Sequence, residues 1–161
     1  MKKLTLLIMV SLLLVMCKST KSATTATEEK KEVSHVQYRD DFRAVTDTKK
    51  KALLSSLKAT GENYAVLIFT KGYKGEKVTV SNATKSLYNG NLISDLKTGI
   101  AHKIRIDTTT DTKVYDSFTK KEVVIEAAEA KKHKFVYLMK DNGDKDNPFF
   151  ITYSNTLRPL E

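Results

Sequence analysis

After Gly61 the chain breaks into short apolar or alternating runs divided by turn residues, and this punctuation restricts it to folds built from many short strands. Tyr64 to Thr70 (YAVLIFT) is almost wholly apolar and suits a strand buried on both faces. Further runs are Val78 to Ser81, Ser86 to Leu92, Ala101 to Asp107, Lys113 to Tyr115, Glu122 to Glu126, Lys134 to Met139 and Phe149 to Ser154. Ile104 and Ile106 alternate with Lys103, Arg105 and Asp107; Val123 and Ile125 alternate with Glu122, Val124 and Glu126. A strand with one face in the core and one in water reads this way, which is the habit of antiparallel sheets. About seven or eight such strands, spaced roughly 10 to 15 residues apart, predict a mainly β fold. The expected form is an antiparallel two-sheet sandwich of Ig-like or transthyretin-like kind, with a small barrel as the competing closure.

The connections carry their own signals. Asn82 to Lys85 reads as a turn, and Asn89-Gly90 either ends a strand or marks a bulge within one. Ala127 to Lys134 (AAEAKKHK) has helical propensity but is short, so it is read as a loop or single turn; a helix reaching back into Val123–Ile125 is the alternative. Asp141 to Asn147 reads as a polar hairpin loop, with Pro148 opening the next strand. Ahead of the strands, Asp47 to Ala59 predicts one short helix, with Leu53, Leu54 and Leu57 on one side, Thr46 or Asp47 as its cap and Gly61 as its end.

Size and composition fit one folded domain: 161 residues, 40% hydrophobic, with two prolines and six glycines. The formal net charge of +9 favours anionic partners without specifying a fold. The single cysteine, Cys17, excludes an intrachain disulfide.

The N-terminus supplies an address. Lys2 and Lys3 precede an apolar run from Leu4 to Met16, the plan of an export signal. The run is about 13 residues, roughly 20 Å as a helix, too short for a bilayer core of about 30 Å. Leu14-Val15-Met16-Cys17 resembles the lipobox of bacterial lipoproteins, with Met16 standing where Gly, Ala or Ser is usual. That resemblance covers residues 1–17. It implies cleavage after Met16, a lipid attached to Cys17, and anchoring by two or three acyl chains. Lys18, where an inner-membrane retention signal would place Asp, implies the outer membrane by similarity to the enterobacterial sorting rule. Lys18 to Val36 is rich in Ser, Thr, Lys and Glu and reads as a tether of at most roughly 65 Å. The expected organisation is therefore a signal peptide at 1–16, a lipidated cysteine and tether at 17–36, and one mostly β domain at 37–161.

Motifs for chemistry are sparse. Counted as an EF-hand from Asp141, the acidic loop places Asp146 and Thr152 where Gly and Glu are required. His35 (assigned to the tether), His102 and His133 have no partners at zinc-site spacing, so no metal is expected. Gly72 to Gly75 (GYKG) lacks the glycines and the Lys-Ser/Thr of a phosphate loop, and no Gly-x-Ser-x-Gly elbow occurs. No cofactor and no catalytic residue is expected. The lysine clusters Lys49–Lys51, Lys71/Lys74/Lys77, Lys120-Lys121 and Lys131-Lys132-Lys134 lack the aromatic strand of an RNA-recognition motif, so no nucleic acid is expected. They read as a solvated surface, or as contacts to anionic envelope lipids or glycans.

The sequence thus reads as an exported protein, lipid-anchored through Cys17 to a bacterial membrane, whose sandwich domain is a non-enzymatic binding or assembly module for another envelope component. Two alternatives stand beside it: a small-ligand or glycan binder using Tyr73, Tyr88, Tyr115 or Tyr153, and an exported hydrolase with a dispersed catalytic site.

Overall fold

The computed structural model describes residues 34–160. The signal peptide, Cys17 and most of the expected tether lie outside the described residues. In chain order the elements are β1 (Ser34–Tyr38), α1 (Asp47–Ser56), β2 (Tyr64–Phe69), β3 (Lys74–Asn82), β4 (Ser86–Ile93), β5 (His102–Asp107), β6 (Thr112–Asp116), β7 (Lys121–Ile125), α2 (Ala127–Lys132), β8 (Phe135–Lys140) and β9 (Phe149–Ser154). They form a five-stranded sheet in the order β1-β9-β8-β2-β5 and a four-stranded sheet in the order β4-β3-β6-β7. Neither closes into a barrel, and the architecture is a β-sandwich.

The core follows from alternation. Ala65, Leu67 and Phe69 of β2, Val136 and Leu138 of β8, and Phe149 and Ile151 of β9 point inward from the larger sheet. They meet Val78, Val80, Leu92, Val114, Val123 and Ile125 from the smaller one. Each large side chain so buried stabilises by roughly 1.5–3 kcal/mol. The intervening residues Val66, Ile68, Phe135 and Tyr137 face the opposite way. There they form a second cluster with Phe42, Val45, Leu53, Leu54 and Leu57 from the first turns of chain and Leu157 and Leu160 from its end. That outer layer is why YAVLIF has no polar face: Ala65 through Phe69 are all fully buried.

Several local expectations need correcting. Nine strands occur among the described residues, and the extra one, β1, begins inside the expected tether. It joins β9 in parallel through main-chain bonds, while four of its five side chains stay exposed, so its apolar content gave no signal. β2 and β8 also pair in parallel. Alternation reports which face is wet and not the direction of the neighbour, so the sandwich is antiparallel-dominated, as expected, with these two parallel ladders in its larger sheet. Asn89-Gly90 ends nothing: both residues pair within β4, opposite Thr79 and Val78. The turn at Asn82–Lys85 is present, closed by Asn82 Oδ1 accepting from the Thr84 and Lys85 amides.

Thr46, not Asp47, caps α1, accepting from the Lys49 amide, and the helix stops at Leu57 with Lys58 left-handed at φ 53°, ahead of Gly61. Within 127–134, expected as a loop or single turn, Ala127–Lys132 forms a six-residue helix that His133 closes. Ala130 is buried beneath it, and its first amide is held by Asp111 Oδ1 at 2.8 Å.

Candidate functional site

On the outer face of the five-stranded sheet the covering layer is incomplete, leaving a groove of about 330 Å³. Its floor is made by alternate residues of β8 and β9, namely Tyr137, Met139, Phe150 and Thr152, which the pleat turns away from the core. Its walls come from three loops: Arg39 and Phe42 after β1, Lys71 after β2, and Thr98 to Ile100 before β5. Arg158 enters from the C-terminal segment.

Arg158 is the unusual member. Its guanidinium lies 4.1 Å from the Tyr137 ring centroid and 5.3 Å from that of Phe42, which also carries Arg39 at 4.8 Å. The Tyr137 hydroxyl fixes the segment by accepting from the Arg158 amide at 3.1 Å and donating to the Thr156 carbonyl at 2.9 Å. Burial pushes the guanidinium below its ordinary pKa, with Tyr137 opposing and Arg39 assisting. Among the described residues the half-buried guanidinium has no carboxylate and no hydrogen-bond acceptor, and neither does the Lys71 ammonium. Arg39, by contrast, is held by both oxygens of Asp41 at 2.9 Å. Two cations without an anionic partner among the described residues therefore overlook a partly aromatic floor, an arrangement suited to a ligand with an anionic group and an apolar or sugar face.

The tyrosines singled out from sequence are not brought together. Tyr73 and Tyr153 are core residues, Tyr88 leans on His102 with ring centroids 4.6 Å apart, and Tyr115 stands exposed on the four-stranded sheet. Of the lysine clusters, only Lys71 reaches the groove. Lys49–Lys51 lie in α1, Lys74 and Lys77 on β3, and Lys120-Lys121 at the start of β7. In the last cluster Lys132 pairs with Glu129, and Lys134 Nζ is bound to the Gly61 and Tyr64 carbonyls.

His35 lies in β1, not in a tether. It stacks on Phe150 with centroids 4.5 Å apart and approaches Asp144 Oδ2 at 3.4 Å. His102 is a half-buried strand residue whose pKa burial, then Lys103, pushes down. His133 closes α2 and packs beside Tyr38 and Tyr153. Among the described residues no histidine hydrogen-bonds a serine, and no group of three or more His, Cys, Asp or Glu could hold a metal. The Asp141–Asn147 loop is a β8–β9 hairpin in which two carboxylate oxygens accept from its own amides: Asp141 Oδ1 from Gly143, and Asp144 Oδ1 from Asp146 and Asn147.

No protein-family model matches the chain, and no curated protein matches it. The groove must be judged on its own chemistry. Lysines and tyrosines dominate the sequence pattern, and nothing local in it singles out Arg39, Phe42, Tyr137 and Arg158. The available signal was arginine itself, used at only four positions (39, 43, 105 and 158) in a lysine-rich chain. Lysine suffices for a solvated surface, whereas arginine stacks on rings and forks onto oxyanions.

Proposed function

We propose that this protein is an exported, lipid-anchored binding module of the bacterial cell envelope, held at Cys17, and that its groove receives an anionic glycan of that envelope. The observation that carries the ligand chemistry is the Arg158 guanidinium, half-buried against two aromatic rings with no anion of its own among the described residues. A guanidinium in that setting accepts a carboxylate or phosphate bidentately, and Lys71 supplies a second positive charge. Tyr137 and Phe42 back the arginines, and the half-exposed Phe150 ring beside Met139 gives a sugar ring something to lie on. A volume of about 330 Å³ accommodates a small saccharide unit rather than a long chain. Lys18, following the lipobox-like Cys17, supports an outer-membrane address by resemblance to the enterobacterial sorting rule.

Binding of oligogalacturonate tests this reading, with a neutral oligosaccharide and phosphatidylglycerol vesicles as comparisons. Arg158→Gln is expected to weaken acidic-glycan binding about tenfold or more, a loss of about 1.4 kcal/mol, and to reduce its salt dependence. Equal binding by wild type and Arg158→Gln, or equal binding of acidic and neutral sugars, overturns it. Preference for the vesicles would move the ligand to a lipid head group.

A further inference from the structure

At one end of the sandwich three ionisable side chains are buried against one another. Lys140, the last residue of β8, places its Nζ 2.5 Å from Asp116 Oδ2 and in contact with Glu76 Oε1. The lysine side chain is 1% exposed, that of Asp116 0% and that of Glu76 7%. Lys140 belongs to the five-stranded sheet, while Asp116 ends β6 and Glu76 lies in β3 of the other, so the trio bridges the two sheets. The Tyr73 hydroxyl is buried nearby with no hydrogen-bond partner, and burial, then the charges of Asp116 and Glu76, push its pKa well up. One ammonium facing two carboxylates is a costly way to fill a dry site, because desolvation is charged to all three groups and only one pair is neutralised.

The two carboxylates are held differently. Asp116 Oδ1 accepts from the Phe118 amide at 2.8 Å and the Thr119 amide at 3.4 Å, while its Oδ2 faces Lys140 and has no other partner. Glu76 Oε2 accepts from the Lys74 amide at 2.6 Å, leaving Oε1 on the lysine. An amine, a carboxyl group whose far oxygen sits on backbone amides, and a second carboxylate touching the amine are the parts required for amide formation.

We propose that Lys140 and Asp116 condense into an intramolecular amide that covalently joins the two sheets, with Glu76 as the proton carrier. Glu76 Oε1 takes a proton from the Lys140 ammonium, and the freed amine attacks Asp116 Cγ. The Phe118 and Thr119 amides hold the negative charge that gathers on Oδ1. The N–C bond forms, the Cγ–Oδ2 bond breaks, and Oδ2 leaves as water with the two protons that the nitrogen gives up through Glu76. The ammonium–carboxylate pair becomes an amide plus one water, with no change of net charge and no oxidation or reduction. In water the equilibrium opposes such a bond. Here fixed neighbours act at effective concentrations of about 10⁵–10⁸ M, and the low dielectric penalises the ion pair that the amide replaces. The chain cannot form an intrachain disulfide, so an amide is the covalent staple open to it. This inference does not depend on the groove or its ligand.

Tryptic mapping and intact mass of the purified full chain test it. If the bond forms, residues 114–120 and 135–145 emerge as one branched species, lighter by one water than the two peptides together, because the acylated Lys140 is no longer cut. Lys140→Arg is expected to abolish the water loss, and Glu76→Gln to leave the peptides separate. Free cleavage at Lys140 in cooperatively folded wild-type protein overturns the proposal, and does so whether or not the variants fold. A water loss that persists in Lys140→Arg overturns it too, since the dehydration then lies elsewhere. Branching through Glu76 to residues 75–77, or undiminished linkage in Glu76→Gln, overturns the roles assigned to the two carboxylates.

Discussion

Gly72→Ala should be among the most damaging small substitutions in the domain, and its cost can be separated into parts. Gly72 turns the chain from β2 toward β3 at φ +100°, and a Cβ there would lie 1.8 Å from the Lys140 carbonyl oxygen and 2.7 Å from its carbon. Gly75, three residues on, has a similar φ of +111°, but its added Cβ would find nothing closer than Ile93 Cγ1 at 3.9 Å. Left-handed backbone costs a residue with a Cβ about 1–2 kcal/mol, so Gly75→Ala should lose that much and little more. Gly72→Ala must also move backbone. The bonds at risk are Lys140 N–H to the Lys71 carbonyl at 3.0 Å and Asn142 Nδ2 to the Gly72 carbonyl at 2.8 Å. At about 1 kcal/mol each, the total reaches about 3–4 kcal/mol, a large fraction of the stability of an ordinary domain. Urea unfolding of both variants measures it. With a slope of about 1–3 kcal/mol per molar, the Gly72→Ala midpoint should fall by roughly 1–4 M. A loss no larger than that of Gly75→Ala would refute the close approach of the β2–β3 turn to the end of β8.

Two further outcomes are expected. Asp40 Oδ1 accepts from Ser154 Oγ at 2.8 Å and from the Asn155 and Thr156 amides at 2.5 and 3.1 Å; the Asn155 amide, then the serine, then the Thr156 amide hold its carboxyl below the ordinary 3.8. A carboxyl with a depressed folded pKa stabilises above its unfolded value and loses that contribution as pH falls through the folded one. The unfolding free energy of wild type in urea should therefore drop below about pH 4 more steeply than that of Asp40→Asn, by about 1 kcal/mol or less because the site is solvent-screened. At the N-terminus, the mass of natively expressed protein should show an acylated Cys17 as first residue and the protein should pellet with membranes, whereas Cys17→Ser should do neither. A soluble mature chain beginning beyond Cys17 would remove the anchor.

Much of the sandwich was legible in sequence because burial imposes period-2 alternation and because turns need particular residues. The two-faced burial of β2 followed from its unbroken apolar run, and the Asp141–Asn147 hairpin from its turn chemistry. What stayed hidden is non-local. β1 is held by main-chain bonds to β9, more than a hundred residues away, and its exposed side chains carry no hydrophobic signal. The parallel ladders depend on which strands meet, which no local pattern encodes. The groove and the Lys140 site are hidden for the same reason. Arg39 and Arg158 sit near opposite ends of the described chain, and Glu76, Asp116 and Lys140 come from three strands. Their residue types are common, and only the fold makes them a constellation.

An acidic glycan lying in the groove over Phe150 and Met139, with its anion on Arg158, is tested most directly by amide chemical-shift mapping during titration with oligogalacturonate. The account expects the perturbed amides to be those of Thr70, Lys71, Thr98 to Ile100, Thr152 and Arg158, saturating together, with the outer face of the four-stranded sheet around Lys113 and Tyr115 unchanged. Shifts confined to that other face, or spread thinly over every lysine-rich surface, would contradict it.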